Sequence, residues 1–277
     1  MNLAKAMTAE LTEKQFKKIS AIVYELCGIH LKAGKEALVR ARLMKRLRAL
    51  GMESFDAYIH YIDSEAGSRE LGMMVDVMTT NKTSFFREPA HFDYLRDHIL
   101  PTVHRRRMRF WTAACSSGEE PYSLAIFIRE AIPDIDLRDV KILATDISTR
   151  MLEKARRATY PREALREIPG HLLQKYFVKT TLAAADAQSM YRVKDPVLAM
   201  VRLARLNLID KWPMKGPFDV IFCRNVMIYF DRPTQQRLIN RFWNYLEPGG
   251  YLFVGHSEGL SAISHKFQYV RPAVYKK

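Results

Sequence analysis

The feature that most constrains this chain is an alternation that begins near Phe110, in which short apolar runs are each followed by a segment of helical periodicity. MRFWTAAC leads through SSGEE into PYSLAIFIREAI, VKILATD into TRMLEKARRA, and FDVIFCRN into PTQQRLINRFWNYL; GGYLFVGHS is a fourth run. The terminal YVRPAVYKK reads as an edge strand. Strands that alternate with helices bury both faces in a parallel sheet, so the spacing predicts a doubly wound α/β domain over 110–277. Such sheets bind ligands at the carboxyl ends of their strands. Between about Tyr176 and Arg205 the pieces MYRVK and AMVRLAR break the alternation and read as a small antiparallel β-subdomain insertion.

The first 80 residues have a different texture and read as an all-helical N-terminal domain. Thr12 with Gln15 makes a capping box, and Phe16, Ile19, Val23 and Leu26 keep helical spacing up to Gly28. A second helix is predicted from about Lys35 to Leu50, stopped by Gly51, with Val39, Leu43, Leu47 and Leu50 as its apolar stripe. Around that stripe lie Arg40, Arg42, Lys45, Arg46 and Arg48, against the single acid Glu36. Ser54 and Ser68 are placed to cap two further helices. Residues 81–109 then join the two domains.

At 277 residues the chain has length for one large domain and a small helical one. It holds no apolar run of the roughly 18 residues that a membrane span needs, and MNLAKAMTAELTEKQ lacks the core of a secretory signal. Cys27, Cys115 and Cys223 are odd in number and far apart, which suits reduced thiols in a cytosol and offers no metal-ligand spacing. A net charge of +14 calls for nucleic acid, an anionic membrane surface or an acidic protein as partner.

Three segments could carry chemistry. ACSSGEEPYS is a small-residue turn between a strand and a helix, able to aim backbone N–H groups at a ligand, or simply an ordinary turn capped by Ser117. It contains one glycine, Gly118, and lacks the GxGxxG fingerprint. Asp146 ends the next strand, where nucleotide-binding domains place an acid on ribose hydroxyls, although a strand-end Asp can also serve as a helix cap. Two such strand ends without a phosphate-binding glycine cluster favour an adenosine ligand without phosphates, and S-adenosylmethionine fits. NKTSFFRE offers Asn81, Thr83 and the cation Arg87 beside two aromatics, or plain packing of a linker.

Taken together, NKTSFFRE, AACSSGEEPYS, ATDIS, RLNLI, FCRNVMIYFD and LEPGGYLFVGHSE resemble the chemotaxis receptor methyltransferase family, CheR, in order and over essentially the whole chain. The resemblance implies a class I methyltransferase domain with a small β-subdomain, and methyl transfer from S-adenosylmethionine to glutamate side chains of bacterial chemoreceptors, leaving S-adenosylhomocysteine. It implies cofactor contacts from Asn81, Thr83, Arg87, Glu120, Asp146, Asn207, Leu208, Arg224 and Asn225. It also implies Arg87 and Tyr229 beside the transferring methyl group.

The side chains suit that chemistry. Glutamate has a pKa of about 4.3, so the acceptor is already ionised at neutral pH and no general base is required. His256 then reads as a packed strand-end residue. The basic helix (Arg40, Arg42, Lys45, Arg46, Arg48) becomes a docking face for the glutamate-rich helical methylation region of a receptor. Family members that tether to a receptor's C-terminal pentapeptide carry a shorter, glycine-containing turn where this chain has TTLAAADAQSMYR, so the expectation is recognition without that tail. The chain is expected to be a cytoplasmic monomer that enters no membrane. A nucleic-acid methyltransferase would suit the charge. The third strand, however, ends in CRNVMIYF, without the Asn/Asp-Pro-Pro-aromatic motif or a Pro-Cys nucleophile. A non-catalytic sensor would suit loss of Arg87, Asp146 or Asn225, and all three are present.

Overall fold

The structure is a computed structural model and describes residues 9–102, 107–180 and 189–277. The chain divides into two compact units, one of residues up to Thr80 with Tyr229–Thr234, the other of Asn81–Ile228 with Gln235–Lys277.

In the first unit, α1 (Glu13–Cys27) opens on the Thr12–Gln15 capping box and ends at Gly28, whose φ of 75° suits a residue without Cβ. The second helix, α2 (Glu36–Leu50), stops at the left-handed Gly51. Its buried stripe is Val39, Leu43, Met44 and Leu47, whereas Leu50 is half-buried. Ser54 caps α3 (Phe55–Ile62) by accepting from the Ala57 N–H. Ser68 does not cap α4 (Ser68–Met78): a 3-10 turn over Glu65–Gly67 already satisfies the entry, so Ser68 is helical and Gly67 precedes it. Inside this unit Glu70, 4% exposed, accepts from Arg46 Nε at 2.8 Å and Nη2 at 2.7 Å and from the Tyr58 hydroxyl at 2.9 Å.

The second unit begins with α5 (Pro89–Tyr94) and then the sheet. In chain order come β1 (Arg107–Ala113), α6 (Glu119–Ala131), β2 (Asp139–Asp146), α7 (Thr149–Arg157) and β3 (Thr159–Pro161). Next are α8 (Gly170–Tyr176), β4 (Phe177–Thr180), β5 (Met190–Val193), α9 (Asp195–Leu198) and β6 (Val201–Arg205). The chain closes with β7 (Phe218–Cys223), α10 (Arg232–Tyr245), β8 (Leu246–Val254), β9 (Gln268–Arg271) and β10 (Val274–Lys276). The main sheet runs β6-β2-β1-β7-β8-β10-β9. The first five strands are parallel, and β10 and β9 are antiparallel additions. Strand order reverses between β1 and β7, the switch point where open α/β sheets leave a crevice.

Two sequence readings change. The insertion does not run over 176–205: the small sheet is β3-β5-β4, beginning at Thr159, and AMVRLAR supplies β6, a parallel strand of the main sheet on β2. The five residues VRLAR intersperse apolar and basic side chains, a pattern that reads as a half-exposed antiparallel strand although the strand pairs in parallel at the sheet edge. The terminal edge strand is a hairpin of two strands, turned at Ala273 with φ of 65°. Among the described residues, no helix is long and apolar enough to cross a membrane.

Candidate functional site

Every motif of the second unit reaches the carboxyl end of a strand. After β1 the backbone turns through positive φ at Ala114 (64°), Ser116 (50°) and Gly118 (99°). Such alternation aims N–H groups inward as an anion nest. The anion here is the chain's own: Asp146, 5% exposed at the end of β2, accepts from the Ser116 N–H at 2.7 Å and the Ser148 N–H at 2.8 Å. Asp146 is therefore not the cap of α7; the Ser148 hydroxyl is, accepting from the Met151 N–H. Nor does Ser117 cap α6, since its hydroxyl donates to Glu119 at 2.7 Å and Gly118 stands at the helix entry.

NKTSFFRE is bonded onto the same turn. The Ser116 hydroxyl donates to the Asn81 carbonyl at 3.0 Å, and the Phe86 N–H donates to the Ser123 hydroxyl at 2.9 Å. Phe85 is buried with its ring edge-on to Tyr160 and Phe177. Its neighbours Phe86 and Glu88 take positive φ, 52° and 58°, a conformation that needs support from surrounding bonds. Thr83 and Arg87 are half-buried, and Arg87 Nη1 donates to the Lys82 carbonyl at 3.0 Å.

The end of β7 supplies the centre of the network. Arg224 donates to Glu88, to Glu120 at 3.1 Å and to the Arg87 carbonyl. Burial pushes the Glu120 carboxyl above its usual range, with Arg224 opposing. Burial acts the same way on Glu88, but the Arg224 charge and the Asn225 amide outweigh it and hold that carboxyl low. Asn225, at φ of 58°, gives its Nδ2 to Glu88 at 3.2 Å. After β6, the Asn207 carboxamide accepts from the Ile209 N–H at 3.4 Å. Leu208 is buried and its carbonyl accepts from Trp212 and Arg241.

Nine of the sequence-derived residues, Asn81, Thr83, Arg87, Glu120, Asp146, Asn207, Leu208, Arg224 and Asn225, thus lie in one unit. Tyr229 does not. Its carbonyl accepts from the His30 N–H at 2.8 Å, Phe230 pairs with Ile29, and the Tyr24 hydroxyl donates to Asp231 at 2.8 Å, all within the helical unit. Of the basic face, Arg40 Nε bonds the Ala9 carbonyl at 2.8 Å, Arg42 bonds the Met78 carbonyl and Thr80, and Arg46 bonds Glu70. Lys45 and Arg48 are exposed. The turn TTLAAADAQSMYR falls largely on 181–188, outside the described residues.

Sequence reading missed Glu88, the last residue of its own motif, and Glu258, whose carboxylate accepts three backbone N–H groups. A buried acid that serves backbone donors leaves no periodic signal. His256, expected to be packed, is exposed, and its ring meets that of buried His91 edge-on at 4.9 Å. Glu88, His91 and His256 bring three ligand-type atoms within 4.8 Å of one another. Both Glu88 oxygens already accept hydrogen bonds, Oε2 from Arg224 and Oε1 from the Asn225 Nδ2 and the His256 N–H.

The donor set fits an adenosine-bearing cation. The Ser116 N–H of the nest is taken by Asp146 and not offered to a phosphate, and Asp146 and Glu120 are acids at neighbouring strand exits, a setting that suits an adenosine ligand carrying positive charge.

Comparison with known proteins agrees. A family model described as "CheR methyltransferase, SAM binding domain" matches residues 81–275, and one described as "CheR methyltransferase, all-alpha domain" matches 14–79. A chemotaxis protein methyltransferase of Klebsiella aerogenes is 41% identical over 98% of this chain and 91% of its own. Chemotaxis protein methyltransferase 2 of Pseudomonas aeruginosa is 42% identical over 95% and 93%, and the chemotaxis protein methyltransferase of Borreliella burgdorferi 38% over 98% and 96%. The chain belongs to the CheR family of S-adenosylmethionine-dependent chemotaxis protein methyltransferases.

Proposed function

We propose that this protein methylates glutamate side-chain carboxylates in the cytoplasmic helical region of bacterial chemoreceptors, for adaptation in chemotaxis. The observation that carries this reading is end-to-end similarity, in both units, to enzymes named for chemotaxis protein methylation. When bound, S-adenosylmethionine supplies an electrophilic methyl that passes to a carboxylate oxygen, while the electron pair of the broken C–S bond stays on sulfur as S-adenosylhomocysteine.

The chain's own residues do the rest. Asp146 and Asn207 hold the adenosine portion, Leu208 packs beside it, and Asn81, Thr83, Glu120 and Asn225 hold the remainder. Arg87 pairs with the incoming glutamate, and the Tyr229 hydroxyl completes the donors around the reacting carboxylate. No base is involved, because the acceptor is ionised at neutral pH. Arg224 keeps its place in the site as the residue that ties Glu88, Glu120 and the Arg87 backbone together. Lys45 and Arg48, exposed on α2, steer the acidic receptor helices, with Arg40, Arg42 and Arg46 adding to the local potential. We further propose that the enzyme acts in the cytoplasm as a monomer, without receptor-tail tethering.

The test is transfer of a labelled methyl group from S-adenosylmethionine to a chemoreceptor cytoplasmic fragment, followed by mild alkali. A carboxyl methyl ester releases volatile methanol. Label that stays on the protein, or goes only to RNA, would sink the reading. In the same assay Asp146→Ala weakens cofactor binding, and Arg87→Ala lowers turnover more than it weakens cofactor binding. A specific complex with a receptor C-terminal pentapeptide would overturn tail independence.

A further inference from the structure

We infer that Glu258 is a positioning residue for methyl transfer: its carboxylate builds the turn Asn225–Ile228, which carries Asn225 and leads directly into Tyr229. The inference rests on the proposed function only in taking those two residues as part of the site.

Glu258 lies just past β8 and is 6% exposed. Its own N–H closes a turn on the Gly255 carbonyl at 2.8 Å, fixing it to the end of its strand. From there the side chain reaches the exit of the neighbouring strand β7. Oε2 accepts from the Asn225 N–H at 2.6 Å and the Gly255 N–H at 2.7 Å, while Oε1 accepts from the Ile228 N–H at 3.2 Å. The two oxygens therefore serve different ends of the turn, Oε2 the asparagine and Oε1 the residue before Tyr229.

The chemistry of the position admits little else. The turn leaves β7 through Asn225 at φ of 58°, and a buried backbone N–H without an acceptor costs about 1–3 kcal/mol. Three converging N–H groups require an acceptor-only side chain, and a carboxylate is one. The approach is possible because residue 255 is glycine. A Cβ there would lie 2.6 Å from both Glu258 Oε2 and Asn225 Nδ2, and 2.9 Å from the Asn225 nitrogen. Gly255, Glu258 and Asn225 thus form one interlocked unit, and Asn225 hands the constraint on through its Nδ2 to Glu88.

The two oxygens can be separated by substitution. Glu258→Gln can keep its carbonyl oxygen at the Oε2 position but then turns an NH2 toward the Ile228 N–H, so only the arm toward Tyr229 is lost. Glu258→Ala loses both arms. Full-length variants are assayed for S-adenosylhomocysteine affinity by calorimetry, for kcat on a chemoreceptor cytoplasmic fragment, and for melting temperature. For Glu258→Gln the expectation is affinity within about twofold of wild type with kcat lower by roughly tenfold or more. For Glu258→Ala both fall, the affinity by about tenfold, as expected for a lost charged hydrogen bond at Asn225.

Wild-type kcat in Glu258→Gln overturns the inference. So does a loss of kcat that disappears well below the variant's melting temperature, since that would mark a merely structural role. Should Glu258→Ala fail to fold, Gly255→Ala crowds Glu258 Oε2 and Asn225 Nδ2 together, breaking the same interlocked unit, and is expected to weaken S-adenosylhomocysteine binding; unchanged affinity there also overturns it. A wild-type enzyme inactive on every receptor fragment would instead overturn the proposed function. The affinity arm would still report on Asn225.

Discussion

Arg224 holds Glu88 with two nitrogens on one carboxylate oxygen, Nε at 3.2 Å and Nη2 at 3.1 Å, and its side chain is 1% exposed. Removing the cation would leave Glu88 and Glu120 facing each other with their main counter-charge gone, in a site where burial already opposes the Glu120 charge. Breaking a buried pair from one side costs about 3–5 kcal/mol. Arg224→Met is therefore expected to lower the unfolding free energy of the sheet unit by about that amount in urea titrations. Arg224→Lys should recover little, because a point cation cannot fork between three acceptors. Near-wild-type stability in Arg224→Met would refute the network.

His91 gives a pH dependence of defined sign. Burial, and next the Arg224 charge, lower its pKa to about 3, outweighing the Glu88 carboxylate 3.4 Å away. The unfolded chain has its histidine near 6.5, so below that pH the unfolded state binds one proton more. Stability from this group is complete above about pH 6.5 and is lost as pH falls toward 3, with a slope approaching about 1.4 kcal/mol per pH unit. Neither ring nitrogen has a hydrogen-bond partner among the described residues, so His91→Phe removes no bond. It should keep stability at pH 7.5 within about 1 kcal/mol and flatten the decline between pH 6.5 and 5. Parallel wild-type and variant curves in that range would show that His91 is not the titrating group.

Gly118 is required for two separate reasons. Its φ is 99°, and a Cβ would meet Tyr122 Cε2 at 2.9 Å, the Tyr160 hydroxyl at 2.9 Å and Ala155 Cβ at 3.0 Å. The Tyr160 hydroxyl donates to the Ser117 carbonyl at 2.7 Å, so displacing it disturbs the turn that presents Ser116 to Asp146. Gly118→Ala should destabilise by about 1–3 kcal/mol and weaken S-adenosylhomocysteine binding in calorimetry. Unchanged affinity would separate the turn from the cofactor site.

The alternation after Phe110 was legible because β1, β2, β7 and β8 are short apolar runs, and Asp146, which ends β2, and Arg224, which follows β7, stand at the carboxyl ends where such a sheet places its crevice. The Thr12–Gln15 box was legible because capping is local. What failed was decided by partners distant in sequence. Val201–Arg205 has no local reason to join β2 in preference to β5. Ser68 looks like a cap until the preceding 3-10 turn is seen. Glu258 accepts from Asn225, 33 residues earlier, and Arg224 reaches Glu88 across 136. Buried polar networks of this kind follow from tertiary closeness, and no period in the sequence announces them.

The basic face of α2 divides into structural and surface charge, and the two halves should respond differently. Arg46 grips the buried Glu70 with Nε and Nη2, so Arg46→Ala leaves a carboxylate without its counter-charge and is expected to destabilise the helical unit by about 3 kcal/mol. Lys45 and Arg48 are exposed, and reversing both to Glu should change stability by no more than about 0.5 kcal/mol each. If they steer an acidic receptor helix, the double reversal lowers kcat/KM on a receptor fragment several-fold at low ionic strength, and the deficit shrinks as salt is raised toward 1 M. Measuring kcat/KM against salt for wild type and the Lys45→Glu, Arg48→Glu variant decides the matter. A salt-independent deficit, or none at low salt, would assign receptor docking to another surface.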